Sequence, residues 1–164
     1  MILETRHLHW PDEAACERFA QALARLPGLM NASIELYGCL GAGKTSFVRH
    51  LLRALGVQGR VKSPSYAVME SYALAHGEAS HFDFYRFSDP REWEEAGFRE
   101  VFTRPGLKLS EWPEHAAGML PDPTLRLTLA VQDDDSRAVT LEACTAEGQA
   151  LLQDLDSVLP GVAP

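Results

Sequence analysis

Positive charge is in short supply in this chain. Fifteen Lys and Arg stand against 23 Asp and Glu, leaving a formal net charge of −8 over 164 residues, with a pI near 5.2. Tight, unaided binding of DNA or RNA draws on clustered Lys and Arg, so the composition argues against it while leaving a local basic patch open. Cysteine is scarce and odd in number. Cys16, Cys39 and Cys144 lie far apart, which fits reduced thiols better than a disulfide framework. No window approaches the apolar length of a membrane span, and the opening MILETRHLHWPDE has no apolar h-region. The expectation is a cytoplasmic protein with no membrane association. Repeats, low-complexity tracts and clear linkers are also missing, so residues 1–164 read as one domain, with a frayed tail over about 157–164.

What remains alternates between strand and helix patterns. MILETRHLH reads as a short edge strand. Pro11-Asp12-Glu13 then opens a helix with Cys16, Phe19, Ala20, Leu23 and Leu26 on one face, ended by Pro27-Gly28. Ser33–Tyr37 is a strand that runs straight into the glycine-rich stretch YGCLGAGKTSF. Helical spacing resumes from Lys44, with Phe47, Val48, Leu51, Leu52 and Leu55 sharing a face and Gly56 as the stop. The runs Ala67–Leu74 and Ala79–Tyr85 predict a hairpin about His76-Gly77-Glu78. Asp89-Pro90 starts a helix through about Phe102, broken by Arg104-Pro105-Gly106. Leu107–Trp112 is a strand, and Leu125–Val131 and Ala138–Ala143 flank a solvated turn at Asp133-Asp134-Asp135-Ser136. Glu147–Leu155 is the last helix.

The stretch from Gly38 to Thr45 matches G-x-x-x-x-G-K-[ST], between a strand and an amphipathic helix. Its chemistry is that of a phosphate loop. Glycines let the backbone turn so that successive N–H groups converge on phosphate oxygens, and the following helix directs its positive end at them. The binding run is Gly38, Cys39, Leu40, Gly41, Ala42, Gly43, Lys44, Thr45 and Ser46. Lys44 is placed to reach the β and γ phosphates, and the Thr45 hydroxyl to ligate Mg²⁺. The expected architecture is α/β: a P-loop NTPase-like three-layer domain whose mixed parallel/antiparallel central sheet has about seven strands flanked by helices.

The sole asparagine, Asn31, precedes the loop. The N-K-x-D motif that reads guanine in Ras-like GTPases is therefore excluded, and ATP is the expected nucleotide. Turnover also needs a carboxylate near Mg²⁺ and a group that positions the nucleophile. Asp83 in HFDFYR and Glu111 in SEWPE stand at strand ends; the plain alternative for each is a solvated strand residue. Asp83 lies between two phenylalanines, where an ionised carboxylate needs a cation or hydrogen-bond donors. His81 paired with Asp83 as a zinc site is disfavoured, because no Cys or second His follows at ligand spacing. Ser63-Pro64-Ser65-Tyr66 is either an ordinary turn or a hydroxyl-rich loop responsive to the γ-phosphate. Trp93, Trp112 and Phe98 read as packing groups.

Taken in order, GCLGAGKTSFVRHLLRALG, VKSPSY, HFDFYRFSDPREWEEAGFREVF and SEWPE resemble the TsaE (YjeE) family over nearly the whole chain. The resemblance implies a P-loop ATPase required for threonylcarbamoyladenosine modification of tRNA, weakly active alone and activated by TsaB- and TsaD-like partners. It implies contact with tRNA only through that complex, none with DNA, and a monomeric free form. By the same resemblance Lys44, Asp83 and Glu111 are catalytic, and Thr45, Asp83 and Glu111 serve the metal. Ser63 and Ser65 belong to a mobile loop near the phosphates, and Trp112 completes the site. Two positions depart from the family pattern. Cys39 stands where an acidic residue is usual, and Ser65 where threonine is usual. Two other classes stay in view: a small-molecule kinase using Arg91, Arg99 and Arg104 as a phosphate-clamping lid, and a nucleotide-dependent interaction module in which hydrolysis is incidental.

Overall fold

The computed structural model describes residues 1–64 and 67–159. Its strands are β1 (Glu4–Trp10), β2 (Ser33–Tyr37), β3 (Met69–Leu74), β4 (Gly77–Asp83), β5 (Leu107–Glu111), β6 (Leu125–Val131) and β7 (Arg137–Ala143). Its helices are α1 (Glu13–Ala24), α2 (Lys44–Ala54), α3 (Pro90–Glu95), α4 (Phe98–Thr103) and α5 (Ala146–Val158), with short 3₁₀ turns at Pro27–Asn31 and Pro113–Ala116. The seven strands form one mixed sheet in the order β1-β7-β6-β2-β5-β4-β3. β2 pairs in parallel with both β5 and β6, and β4 with β5, whereas β1–β7, β6–β7 and β3–β4 are antiparallel. β1 is an edge strand, as expected, and β3 is the other edge. Among the described residues no helix is long and apolar enough to cross a membrane.

Local chemistry accounts for the element boundaries. The Asp12 side chain caps α1 by accepting from the Ala15 N–H at 3.0 Å, and Thr145 caps α5 by accepting from Gly148 N–H at 3.1 Å. α1, α2 and α5 bury their apolar stripes on one face of the sheet, against Ile34, Leu36, Leu109, Leu127 and Leu141. On the other face Phe82 and Phe84 meet α3 and α4 through Phe87, Trp93, Phe98 and Val101. Alternation along β4 thus sends Phe82 to the aromatic side and His81 and Asp83 to the opposite one.

Several boundaries differ from the sequence expectation. The expected helix from Asp89 to Phe102 is two helices, because Gly97 takes a left-handed φ of 73° between them and resets the helical register. The hairpin turn lies earlier than expected: Leu74 pairs with Gly77, so Gly77 and Glu78 belong to β4 and the turn is Ala75-His76. β3 starts at Met69, preceded by Val68 at φ 65°, and β5 stops at Glu111 because Trp112 is left-handed at φ 55°. α5 extends to Val158, so the beginning of the expected tail is helical; residues 160–164 lie outside the described residues.

Candidate functional site

Parallel pairing of β2, β5 and β4 brings their C-terminal ends to one side of the sheet. Leu36 lies opposite Glu111, and Glu111 opposite Asp83. The glycine loop leaves β2 at this same end and enters α2 at Lys44. Ligands of open α/β sheets lodge in the crevice beyond the carboxyl ends of their strands, and here that crevice is a cleft of about 290 Å³ lined by residues 40–46, Ser63, Asp83, Tyr85, Glu111 and Trp112. The loop needs glycine at its first position. Gly38 has φ +148°, and a Cβ there would sit 2.8 Å from the Leu129 carbonyl oxygen.

The polar side chains of the cleft are bonded to one another. Lys44, only 4% exposed, donates from Nζ to the Gly38 carbonyl and sits 3.5 Å from the centroid of the Trp112 ring, a cation–π contact. Burial pulls the Lys44 ammonium below the usual lysine range, while Glu111, Glu114, Asp83 and Cys39 act in the opposite direction. The Thr45 hydroxyl donates to Glu111, 2.8 Å from Oε1 and 3.0 Å from Oε2. His81 Nε2 lies 2.6 Å from Glu111 Oε2. Asp83 accepts from the Ser63 hydroxyl and from the Tyr85 N–H at 2.9 Å, which are the donors that a carboxylate between phenylalanines requires.

The arrangement suits an anionic, metal-bearing ligand. A glycine-lined loop opens onto the N-terminus of α2, with a buried ammonium beside it. Thr45 spends its hydroxyl hydrogen on Glu111, which leaves its oxygen lone pairs for a cation. A hydroxyl and two carboxylates are hard oxygen donors of the kind Mg²⁺ takes alongside water and phosphate oxygens. Among the described residues no group of three or more His, Cys, Asp and Glu could hold a metal by itself.

The structure brings together residues 40–46, Ser63, Asp83, Glu111 and Trp112 at one cleft, with Gly38 reached through the Lys44 bond. Cys39 is an exposed free thiol and does not line the cleft. Ser65 lies outside the described residues. Trp112, read from spacing as a packing group, does pack against the aromatic cluster and is also the ring beneath Lys44. Tyr85 and His115 flank it with ring centroids 5.0 and 5.4 Å away. His81 bonds Glu111 rather than Asp83. Arg91 and Arg99 have side chains 83% and 73% exposed beside Asp89 and Glu94, so a solvated helix face describes them better than a phosphate clamp.

Sequence reasoning missed Arg137, whose Nε donates to the Ala42 carbonyl at 2.8 Å and ties the glycine loop to β7. No local motif marks it. Its position follows only from the register of β7 on β6. It also missed the role of His81, for which HFDFYR did supply a signal: His81 and Asp83 share a strand face.

The family model described as "Threonylcarbamoyl adenosine biosynthesis protein TsaE" matches residues 10–139. Proteins named "tRNA threonylcarbamoyladenosine biosynthesis protein TsaE" are similar along most of the chain. The one from Haemophilus influenzae is 36% identical over 154 residues, covering 92% of this chain and 97% of its own length. The one from Bacillus subtilis is 32% identical over 155 residues, covering 92% and 94%. The crystal structure of YdiB from Bacillus subtilis has the same fold, with a TM-score of 0.81 at 24% identity over 96% of this chain and 97% of that one.

Proposed function

Because the chain belongs to the TsaE family, whose role is in threonylcarbamoyladenosine biosynthesis for tRNA, we propose that it is a Mg²⁺-dependent, partner-activated ATPase of that modification. The supporting observation is the bonded set Thr45–Glu111–His81 facing Lys44 at the glycine loop.

In this reading the loop N–H groups and the N-terminus of α2 bind the phosphate chain. Lys44 exchanges the Gly38 carbonyl for phosphate oxygens, and Trp112 keeps its ammonium in the cleft meanwhile. Thr45 presents its oxygen lone pairs, and Asp83 and Glu111 supply the surrounding negative charge, so that Thr45, Asp83 and Glu111 hold Mg²⁺. When bound, that ion neutralises charge developing on the phosphates and fixes their geometry. Glu111 keeps the Thr45 hydroxyl oriented, and Ser63 and Tyr85 hold Asp83 in place. An exposed rim of Leu40 and Tyr85, 73% and 47% exposed, offers TsaB- and TsaD-like partners a surface at the mouth of the site. The acidic chain leaves tRNA contact to those partners, as a monomeric cytoplasmic component of the complex.

The deciding experiment measures ATP hydrolysis by this protein alone and with purified TsaB- and TsaD-like proteins. Weak turnover alone and clear stimulation by the partners are expected. No stimulation, together with no complex in the presence of ATP, would overturn the reading. Glu111→Gln separates it from an interaction module with incidental hydrolysis. That module would keep partner function, whereas an ATPase loses it while still binding ATP.

A further inference from the structure

His81 is one of the few polar side chains among the described residues with no solvent exposure, and Glu111, its partner, is 3% exposed. The bond between them, 2.6 Å from Nε2 to Oε2, is short for an N–H···O contact, as charge-assisted bonds are. A carboxylate oxygen only accepts, so Nε2 carries the hydrogen. The other ring nitrogen, Nδ1, is buried with no partner among the described residues. The ring therefore makes a single directed bond, and that bond ends on the carboxylate that orients Thr45. Both Glu111 oxygens receive the Thr45 hydroxyl, at 2.8 and 3.0 Å, so a rotation of the carboxylate would turn the Thr45 lone pairs away from the cleft. β4 and β5 are parallel neighbours in which His81 lies opposite Leu109, two residues before Glu111. The histidine thus reaches Glu111 diagonally from a strand that the sheet holds rigid.

We propose that His81 is a positioning residue of the divalent-cation site: by fixing the Glu111 carboxylate it sets the direction in which Thr45 offers its lone pairs. This rests on the cation-dependent reading of the cleft above. His81 touches neither phosphate nor cation; it acts through Glu111, as outer partners of metal-site carboxylates do. Its loss should therefore weaken the response to Mg²⁺ and leave phosphate binding by the loop and Lys44 in place.

The test is ADP binding by calorimetry in EDTA, followed by titration of Mg²⁺ into the protein–ADP complex, for wild type, His81→Leu and His81→Gln. His81→Leu should bind ADP in EDTA as wild type does. Its apparent Mg²⁺ affinity should fall by about 10–100-fold, the usual loss for an outer-partner change, and raised Mg²⁺ should restore its turnover. Gln places an amide N–H near the position of imidazole Nε2, so His81→Gln should recover most of the affinity. Unchanged Mg²⁺ affinity in His81→Leu would overturn the proposal. An equal loss of ADP binding in EDTA would also overturn it, since that marks a purely structural role. A wild type that binds ADP without any Mg²⁺ response would sink the cation-dependent reading itself, and this inference with it.

Discussion

The two faces of the sheet are closed by different materials. Beneath α1, α2 and α5 the packing is mostly aliphatic, with leucines, alanines and Ile34 around a single ring group of Trp10, Phe19 and Phe47. Across β4 the opposite face is closed by rings. Phe82 stacks on Phe84 and Phe102 at centroid distances of 5.5 and 4.8 Å and meets Phe98 edge-on at 5.4 Å. The polar cleft opens only at the strand ends of the aliphatic side. β4 serves both faces, sending His81 and Asp83 to the cleft and Phe82 to the rings. Chemistry and aromatic packing are therefore neighbours in sequence and separated by the thickness of a sheet.

Phe82→Ala should have the largest effect on stability. Emptying a fully buried ring site costs about 3–5 kcal/mol, read as a fall in the denaturant midpoint. If the faces are independent, the fraction that stays folded should bind ADP as wild type does. Weakened binding in fully folded protein would break the comparison and show that the rings hold Asp83 in place. Glu111→Gln is the converse change. It should lower ATP turnover by at least about 100-fold, because it alters a carboxylate proposed to hold Mg²⁺, whereas loss of a partner outside the metal's own ligands costs about 10–100-fold. ADP binding should persist.

These two residues also mark what the sequence could show. The glycine loop, α2 and the carboxylates Asp83 and Glu111 were legible because each depends on residues close in sequence: a turn that needs glycine, a helical stripe, a strand end. Sheet order was not, because it is set by pairing between distant segments such as β1 with β7. The split between α3 and α4 was hidden because a lone glycine is tolerated within a helical stretch, and nothing local announces that Gly97 takes a left-handed φ of 73°. The contact of Trp112 with Lys44 was not legible, because neither its φ of 55° nor the ammonium above its ring has a local signature. The shared face of His81 and Asp83 was legible along β4, but the bond from His81 to Glu111 joins two strands, so its partner was not.

Arg137 tests how far the cleft depends on the rest of its own face. Arg137→Met removes the bond to the Ala42 carbonyl, 2.8 Å long, and a second one to the Asp135 carbonyl. With a charged donor lost it should cost about 1.5–3 kcal/mol of stability. ADP binding should weaken modestly, because the loop must then be ordered by the ligand. Unchanged affinity in calorimetry would mean that Gly38 and the start of α2 hold the loop without β7.

The effect that is smallest at neutral pH, where it vanishes, concerns α1, whose Cys16 lines a cavity with Ala42, Gly43 and Ser46 of the glycine loop. Cys16 is 5% exposed, and burial, reinforced by Glu13 and Glu17, pushes its thiol from 9.0 up to about 12. A folded-state value above the unfolded one means that its contribution is fully present below pH 9 and is lost as pH rises from 9 toward 12. In that window the stability of wild type should decline by up to about 1.4 kcal/mol per pH unit from this group alone, and Cys16→Ala should flatten the decline. Cys39, an exposed free thiol on the loop, supplies the contrast within one molecule. A thiol-alkylating reagent should label Cys39 first at neutral pH and reach Cys16 only when the fold opens, with protection in proportion to stability. Equal labelling rates for the two would show that the packing under the glycine loop opens without global unfolding. The rigid aliphatic support assumed for the cleft would then be wrong, and the Phe82→Ala comparison would have to be read with both faces able to move.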